Sequence, residues 1–115
     1  MAVLKRFVVA EDSMRPALAP GDGLVALRTR RPGVGTICIL RTPGSPGTWL
    51  VKRVIAVAGE WVHVDGRAWH VGPGEVFVLS DDRRVTVADS RRYGPLPLDE
   101  VYRMVLRVPR RSRGR

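Results

Sequence analysis

Proline and glycine interrupt the apolar stretches of this chain so often that none of them can carry a long helix. Twelve glycines and nine prolines are spread over 115 residues, and the apolar content falls into short runs between them. Proline lacks the N–H that a helix or central strand needs, and glycine supplies the unusual φ of tight turns. Residues 3–10 are apolar and β-branched enough for a strand. Pro16, Pro20 and Gly21 then force a turn, with room for a single helical turn over 14–19. Further strands are expected over 24–27, 36–40 and 49–57, with a turn at Arg31-Pro32-Gly33 and an exposed loop over 42–47. Asp65-Gly66 sits between two runs within 61–71, the strongest short-range hairpin signal. Residues 75–79 read as a strand that enters the polar segment 80–92, and 101–108 as a final strand, with a short helix over 99–104 as the alternative. The expectation is a mostly β fold of short strands in a partly closed sheet, with little helix.

The length gives one domain, read as 1–109, followed by a basic tail over 110–115 that lacks any apolar period and is expected to be disordered. The net charge of +9 raises three partner classes: nucleic acid, an anionic membrane surface and acidic substrates. The excess is mostly arginine and spread along the chain. No helix-turn-helix signal or aromatic stacking platform is visible, which speaks against nucleic acid. An anionic membrane surface stays open through the arginine tail, with Trp49, Trp61 and Trp69 as interfacial side chains. Lys5 and Arg6 interrupt the first apolar run and Glu11-Asp12 stop it, so neither a membrane span nor a signal peptide is read there. A cytoplasmic or peripherally membrane-associated location follows as the expectation. The single cysteine, Cys38, excludes an internal disulfide and is expected to be a small buried hydrophobe.

Three places carry candidate chemistry. Ser13 follows an apolar strand and precedes a proline-stiffened turn, which sets its hydroxyl and N–H on a rigid element; the same position also suits a turn or helix cap. Lys52 lies in the apolar segment Leu50-Val51-Lys52-Arg53-Val54, where strand alternation puts it on one face with Leu50 and Val54 and puts Arg53 on the other. A lysine with such neighbours is either at a sheet edge or desolvated, and a desolvated amine loses its proton more readily and can act as a base. The acidic and arginine side chains of 80–92 suit an ion-pair network that fixes a loop. His63 and His70 flank the hairpin without a third ligand, so no metal site is expected.

In order along the chain these pieces resemble the bacterial type I signal peptidases. Ser13-Met14-Arg15-Pro16 matches the family's Ser-Met-x-Pro motif, Lys52-Arg53-Val54-Ile55 with Gly59-Glu60 its Lys-Arg motif, and Asp89-Ser90-Arg91-Arg92-Tyr93-Gly94 its closing motif. Gly21-Asp22 fits the connecting pattern. The resemblance implies a serine endopeptidase that removes a leader or propeptide after small residues in an Ala-x-Ala-like site, without a cofactor. Ser13 would be the nucleophile and would lend its N–H to the oxyanion, and Lys52 would be the general base. Arg53, Asp89 and Arg91 would support the loop behind the lysine. Val9, Ala10, Met14, Leu18, Leu50 and Val51 would line the substrate pockets. A lysine base is the bacterial form of this site, and the short chain resembles the proteases that mature nickel superoxide dismutase. Its partner would be a precursor protein or leader peptide; relatives are membrane-anchored with the catalytic domain outside.

The chain also departs from the family pattern. Glu11 stands two residues before the serine, where some relatives place an oxyanion donor. Ser80-Asp81-Asp82 replaces Gly-Asp-Asn. Val87 stands where some relatives carry a hydroxyl that bonds the lysine, with Thr86 its nearest substitute. These departures give the alternative reading, a catalytically degenerate member that binds a peptide or a partner.

Overall fold

The computed structural model describes residues 2–110. Nine strands and one short helix follow one another in the order β1 (Leu4–Val8), β2 (Gly23–Arg28), β3 (Ile37–Thr42), β4 (Ser45–Val57), β5 (Trp61–Val64), β6 (Arg67–His70), β7 (Glu75–Leu79), α1 (Ser90–Tyr93), β8 (Leu96–Pro97) and β9 (Val101–Val108). Seven of the strands form one antiparallel sheet in the order β1-β2-β9-β3-β4-β7-β8, and β5-β6 form a separate hairpin. The mostly β expectation holds. The basic tail expected over 110–115 falls, apart from Arg110, outside the described residues.

One local expectation is corrected. Residues 43–47 are exposed, as read, but 42–47 is not a loop: Pro43-Gly44 makes a tight turn and β4 already begins at Ser45, paired to Thr42. Gly44 has φ 76°, which supplies the left-handed residue such a hairpin needs. The final strand expected over 101–108 forms as β9, and its pairing on both sides, to β2 and to β3, leaves no place for the alternative helix over 99–104. The Asp65-Gly66 hairpin forms as read, with φ 52° and 76° at its two turn residues. That places His63 opposite Ala68 and His70 opposite Trp61, so the two imidazoles are not cross-strand partners. Among the described residues no group of three metal-ligating side chains occurs.

Burial follows from strand alternation. Along β3, Ile37 and Ile39 enter one core cluster with Val9, Met14, Leu18, Leu24, Ala26 and Tyr102. Cys38 and Leu40 point the other way, into a second cluster with Leu50, Val54, Val76, Val78, Leu96 and Val101. The central strand is therefore buried on both faces, which explains its continuous apolar run. Cys38 is fully buried, as expected, and burial pushes its thiol pKa up to about 12. A third cluster seats the hairpin through Val62 and Val64 against Ala56, Val71, Phe77 and Leu79.

The sheet is open in its hydrogen bonding but strongly curled. β1 and β4 are separated by three strands in the sheet order, yet the rings of Phe7 and Trp49 meet edge-to-face with centroids 5.1 Å apart. Tyr102 completes the cluster at 5.4 Å from Phe7 and 5.8 Å from Trp49. The Lys5 ammonium lies 4.8 Å from the Trp49 ring centroid, a cation–aromatic contact that adds to the closure. Just past the end of β1 the buried Asp22 carboxylate accepts from the Ala19 and Arg110 N–H groups and from Arg107, tying the turn after β1 to the end of β9.

Phe77 is fully buried, and its ring packs tilted against Trp69 of the hairpin with centroids 5.1 Å apart. Phe77→Ala is expected to cost about 3–5 kcal/mol, the usual range for emptying a buried aromatic site, with the loss read from urea denaturation and from new exposure of Trp69 fluorescence.

Candidate active site

The register of β4 is what brings the candidate groups together. Over residues 49–53 it pairs with β3, and from Arg53 to Val57 it pairs with β7, with a bulge between Val54 and Ala56. Arg53 is opposite Leu79, so the antiparallel register continued by one step sets Ser80 beside Lys52. Leu50, Lys52, Val54 and Ala56 form the buried side of the strand, as alternation predicts. Lys52 is 1% exposed.

Ser13 comes from the far end of the sequence. It lies in the turn that leaves β1, and that turn carries a cis Arg15-Pro16 peptide and one helical hydrogen bond from Leu18 N–H to the Met14 carbonyl. Two contacts fix the turn against the segment after β7. The Asp82 N–H donates to the Ser13 carbonyl at 2.8 Å, and the Asp81 N–H donates to Met14 Sδ at 3.4 Å. The result is a buried group of three polar side chains: Lys52 Nζ is 3.3 Å from Ser13 Oγ and 2.9 Å from Ser80 Oγ. The Ser13 N–H has no hydrogen-bond acceptor among the described residues.

Burial holds the Lys52 pKa below the ordinary lysine value; the carboxylates of Asp89 and Glu11 pull it partly back, and Arg91 opposes them. Asp89 is itself buried and cannot serve Lys52 as a partner, because it is already committed. It accepts from the Ser80 N–H at 2.9 Å, from the Arg91 N–H at 2.9 Å, and from the Arg91 guanidinium. Burial pushes its carboxyl up, but these bonds outweigh burial and leave its pKa lowered. Arg91 also donates to the carbonyls of Arg83 and Thr86, closing the 83–91 loop on itself. Arg53 points to the opposite face of β4, where it binds Asp81 through two nitrogens at 2.9 and 2.6 Å and the Gly35 carbonyl at 2.9 Å.

A pocket of about 180 Å³ opens above Ser13 and Lys52. Its walls are the end of β1 with the following residues, Phe7 to Glu11, and residues 49–52 of β4, with Met14 between them. Of the side chains read from sequence as pocket-lining, Val9, Ala10, Met14, Leu50 and Val51 lie on this wall, while Leu18 packs into the core beneath it. Phe7, Val8, Glu11 and Trp49 also line the pocket and were not singled out for it from sequence. Ser80 was visible there only as a departure from a motif. Val87 is exposed, and the Thr86 hydroxyl accepts from the Ala88 N–H at 3.0 Å.

The model of a family described as signal peptidase, peptidase S26, matches residues 1–69. Curated relatives include thylakoidal processing peptidase 1 of Arabidopsis thaliana chloroplasts, 28% identical, with 88% of this chain and 42% of the relative covered. A mitochondrial ATP-independent inner membrane protease subunit, 1b, of the same plant is 29% identical over 82% of this chain and 63% of the relative. A probable thylakoidal processing peptidase 2 is 29% identical over 81% of this chain and 34% of the relative. The chain thus spans between about a third and three-fifths of the length of these relatives. No helix among the described residues is long and apolar enough to cross a membrane.

A buried amine with a lowered pKa leaves a signature in stability. The folded chain releases the Lys52 proton at a lower pH than the unfolded chain, whose ordinary value is 10.5. Between those two values the unfolded state binds more protons, so stability rises with pH. Urea midpoints of the wild type are therefore expected to climb from neutral pH toward 10.5 relative to those of Lys52→Met, and Lys52→Met to be the more stable protein at pH 7.

Proposed function

The chain belongs to the signal peptidase, peptidase S26, family, and we propose that it is a serine endopeptidase of the bacterial, lysine-using type that removes a leader or propeptide after small residues. The reading rests on one observation above all. A lysine amine shielded from water lies 3.3 Å from a serine hydroxyl at the floor of a pocket. An amine with a depressed pKa has a neutral fraction near neutral pH, and only the neutral form can take a proton from serine.

The chemistry follows from the positions. Ser13 Oγ attacks the scissile carbonyl carbon as its proton passes to Lys52 Nζ. The carbonyl oxygen, now negative, is met by the unengaged Ser13 N–H. Collapse of the tetrahedral intermediate breaks the C–N bond, and the new ammonium of Lys52 returns its proton to the departing amine. Water then attacks the Ser13 ester with Lys52 again as the base, releasing the acid and restoring the serine. Asp89 with Arg91, and Arg53 with Asp81, keep the segments that carry this pair in place.

Substrate would enter as extended chain. β1 is the last strand of the sheet on its side, and residues 45–52 of β4 have no partner on the β7 side. These unpaired edges flank the pocket, so a peptide laid between them would gain main-chain hydrogen bonds. The apolar wall of Val9, Ala10, Met14, Leu50 and Val51 over a pocket of about 180 Å³ favours small side chains next to the cut. Precursor proteins are accordingly the proposed partners.

The test is cleavage of an Ala-x-Ala leader peptide by wild type, Ser13→Ala and Lys52→Met. Each substitution is expected to lower kcat/KM by roughly a thousandfold or more. The wild-type rate is expected to fall on the acid side as Lys52 gains its proton. A wild type with no activity, or variants as fast as wild type, would leave peptide binding without catalysis as the better account.

A further inference from the structure

We propose that Ser80 is a positioning residue, whose hydroxyl fixes the rotation of the Lys52 amine so that its lone pair faces Ser13. The proposal rests on the protease reading above and names a part of that site which the sequence motif does not assign.

A neutral amine has two N–H bonds and one lone pair, arranged tetrahedrally. With Ser13 Oγ as its sole neighbour, Lys52 could donate an N–H to that oxygen just as well as accept its proton. Donation is the unproductive direction. Ser80 Oγ, at 2.9 Å, is the nearer of the two hydroxyls and takes one N–H. That frees the remaining directions for the proton of Ser13. Both oxygens are buried, with Ser13 5% and Ser80 3% exposed.

The two serines are not equivalent. Ser13 lines the pocket and Ser80 does not, so only Ser13 can meet a scissile carbonyl. Ser80 is instead held from behind, its N–H donating to Asp89, which Arg91 grips. Register explains why a residue just past the end of β7 can do this, since Leu79 is paired with Arg53 next to the lysine. Among the described residues no other hydroxyl takes the place: Val87 has none, and that of Thr86 is turned to Ala88. A chain with glycine at position 80 would leave the second N–H of Lys52 without this acceptor.

The charged groups acting on Lys52 are Asp89 and Glu11, which favour its ammonium, and Arg91, which disfavours it. Removing the Ser80 hydroxyl alters none of them. It does remove an acceptor that binds the ammonium more strongly than the amine, so the Lys52 titration should move to lower pH while proton transfer becomes slower.

The experiment compares wild type, Ser80→Ala and Ser80→Gly by two readouts: NMR titration of the Lys52 side chain, and kcat and KM on the Ala-x-Ala peptide across pH. Both variants keep the N–H that binds Asp89, which protects the fold, and agreement between them separates the hydroxyl from backbone effects. The expected result is a downward shift of the Lys52 titration and of the acid limb. With it, kcat should fall by about tenfold to a hundredfold, as for a mispositioned catalytic group, with KM unchanged. An unmoved titration in both variants, or an unmoved kcat in both beside an active wild type, overturns the proposal. A wild type that cleaves nothing overturns the protease reading instead, and the titration still decides whether Ser80 grips the amine.

Discussion

An ammonium taken out of water needs either a counter-charge or a way to lose its proton, and at Lys52 the structure withholds the first. The nearest carboxylates that favour the charged form are Asp89 and Glu11. Asp89 spends its oxygens on Arg91 and on two backbone N–H groups, and neither carboxylate bonds the amine. What the amine touches are two neutral hydroxyls. The desolvation is produced by ordinary strand packing, because Leu50 and Val54 flank Lys52 on the same side of β4. The rest of the arrangement keeps this situation tolerable. Every buried side-chain nitrogen and oxygen among the described residues has a partner, so the amine is stripped of solvent without being left unsatisfied.

The site sits where β4 changes neighbours. Up to Arg53 the strand is stitched to β3, and beyond it to β7. The change leaves one edge of the strand open on the stretch that holds the lysine, while the bulge at the changeover pushes Ile55 outward. The turn carrying Ser13 is then pinned to the chain emerging from β7 by backbone contact with Asp82. Three remote pieces of sequence therefore converge on one sheet junction, brought together by long-range strand pairing and backbone contact.

Much of this was legible in the residues. Alternation alone put Lys52 with Leu50 and Val54 and turned Arg53 away; Asp65-Gly66 announced its hairpin; and the Ser-Met-x-Pro and Lys-Arg motifs marked the two positions that the fold brings within 3.3 Å. The failures have physical causes. Residues 42–47 looked like a loop because proline and glycine dominate them, yet a turn of two residues was enough and β4 absorbed the rest. Ser80 could not be found from composition or motif, because its meaning lies in the register of β7 against β4, a relation between segments some thirty residues apart that no local pattern records.

The unpaired edges of β1 and β4 carry one last implication, for what such a groove ignores. Main-chain donors and acceptors are the same in every polypeptide, so edges of this kind read the conformational state of a chain before they read its side chains. Interior strands of a folded protein have both of their ladders satisfied and nothing to offer. A chain still unstructured does. On the proposed function, this groove would discriminate first between unstructured and folded polypeptide.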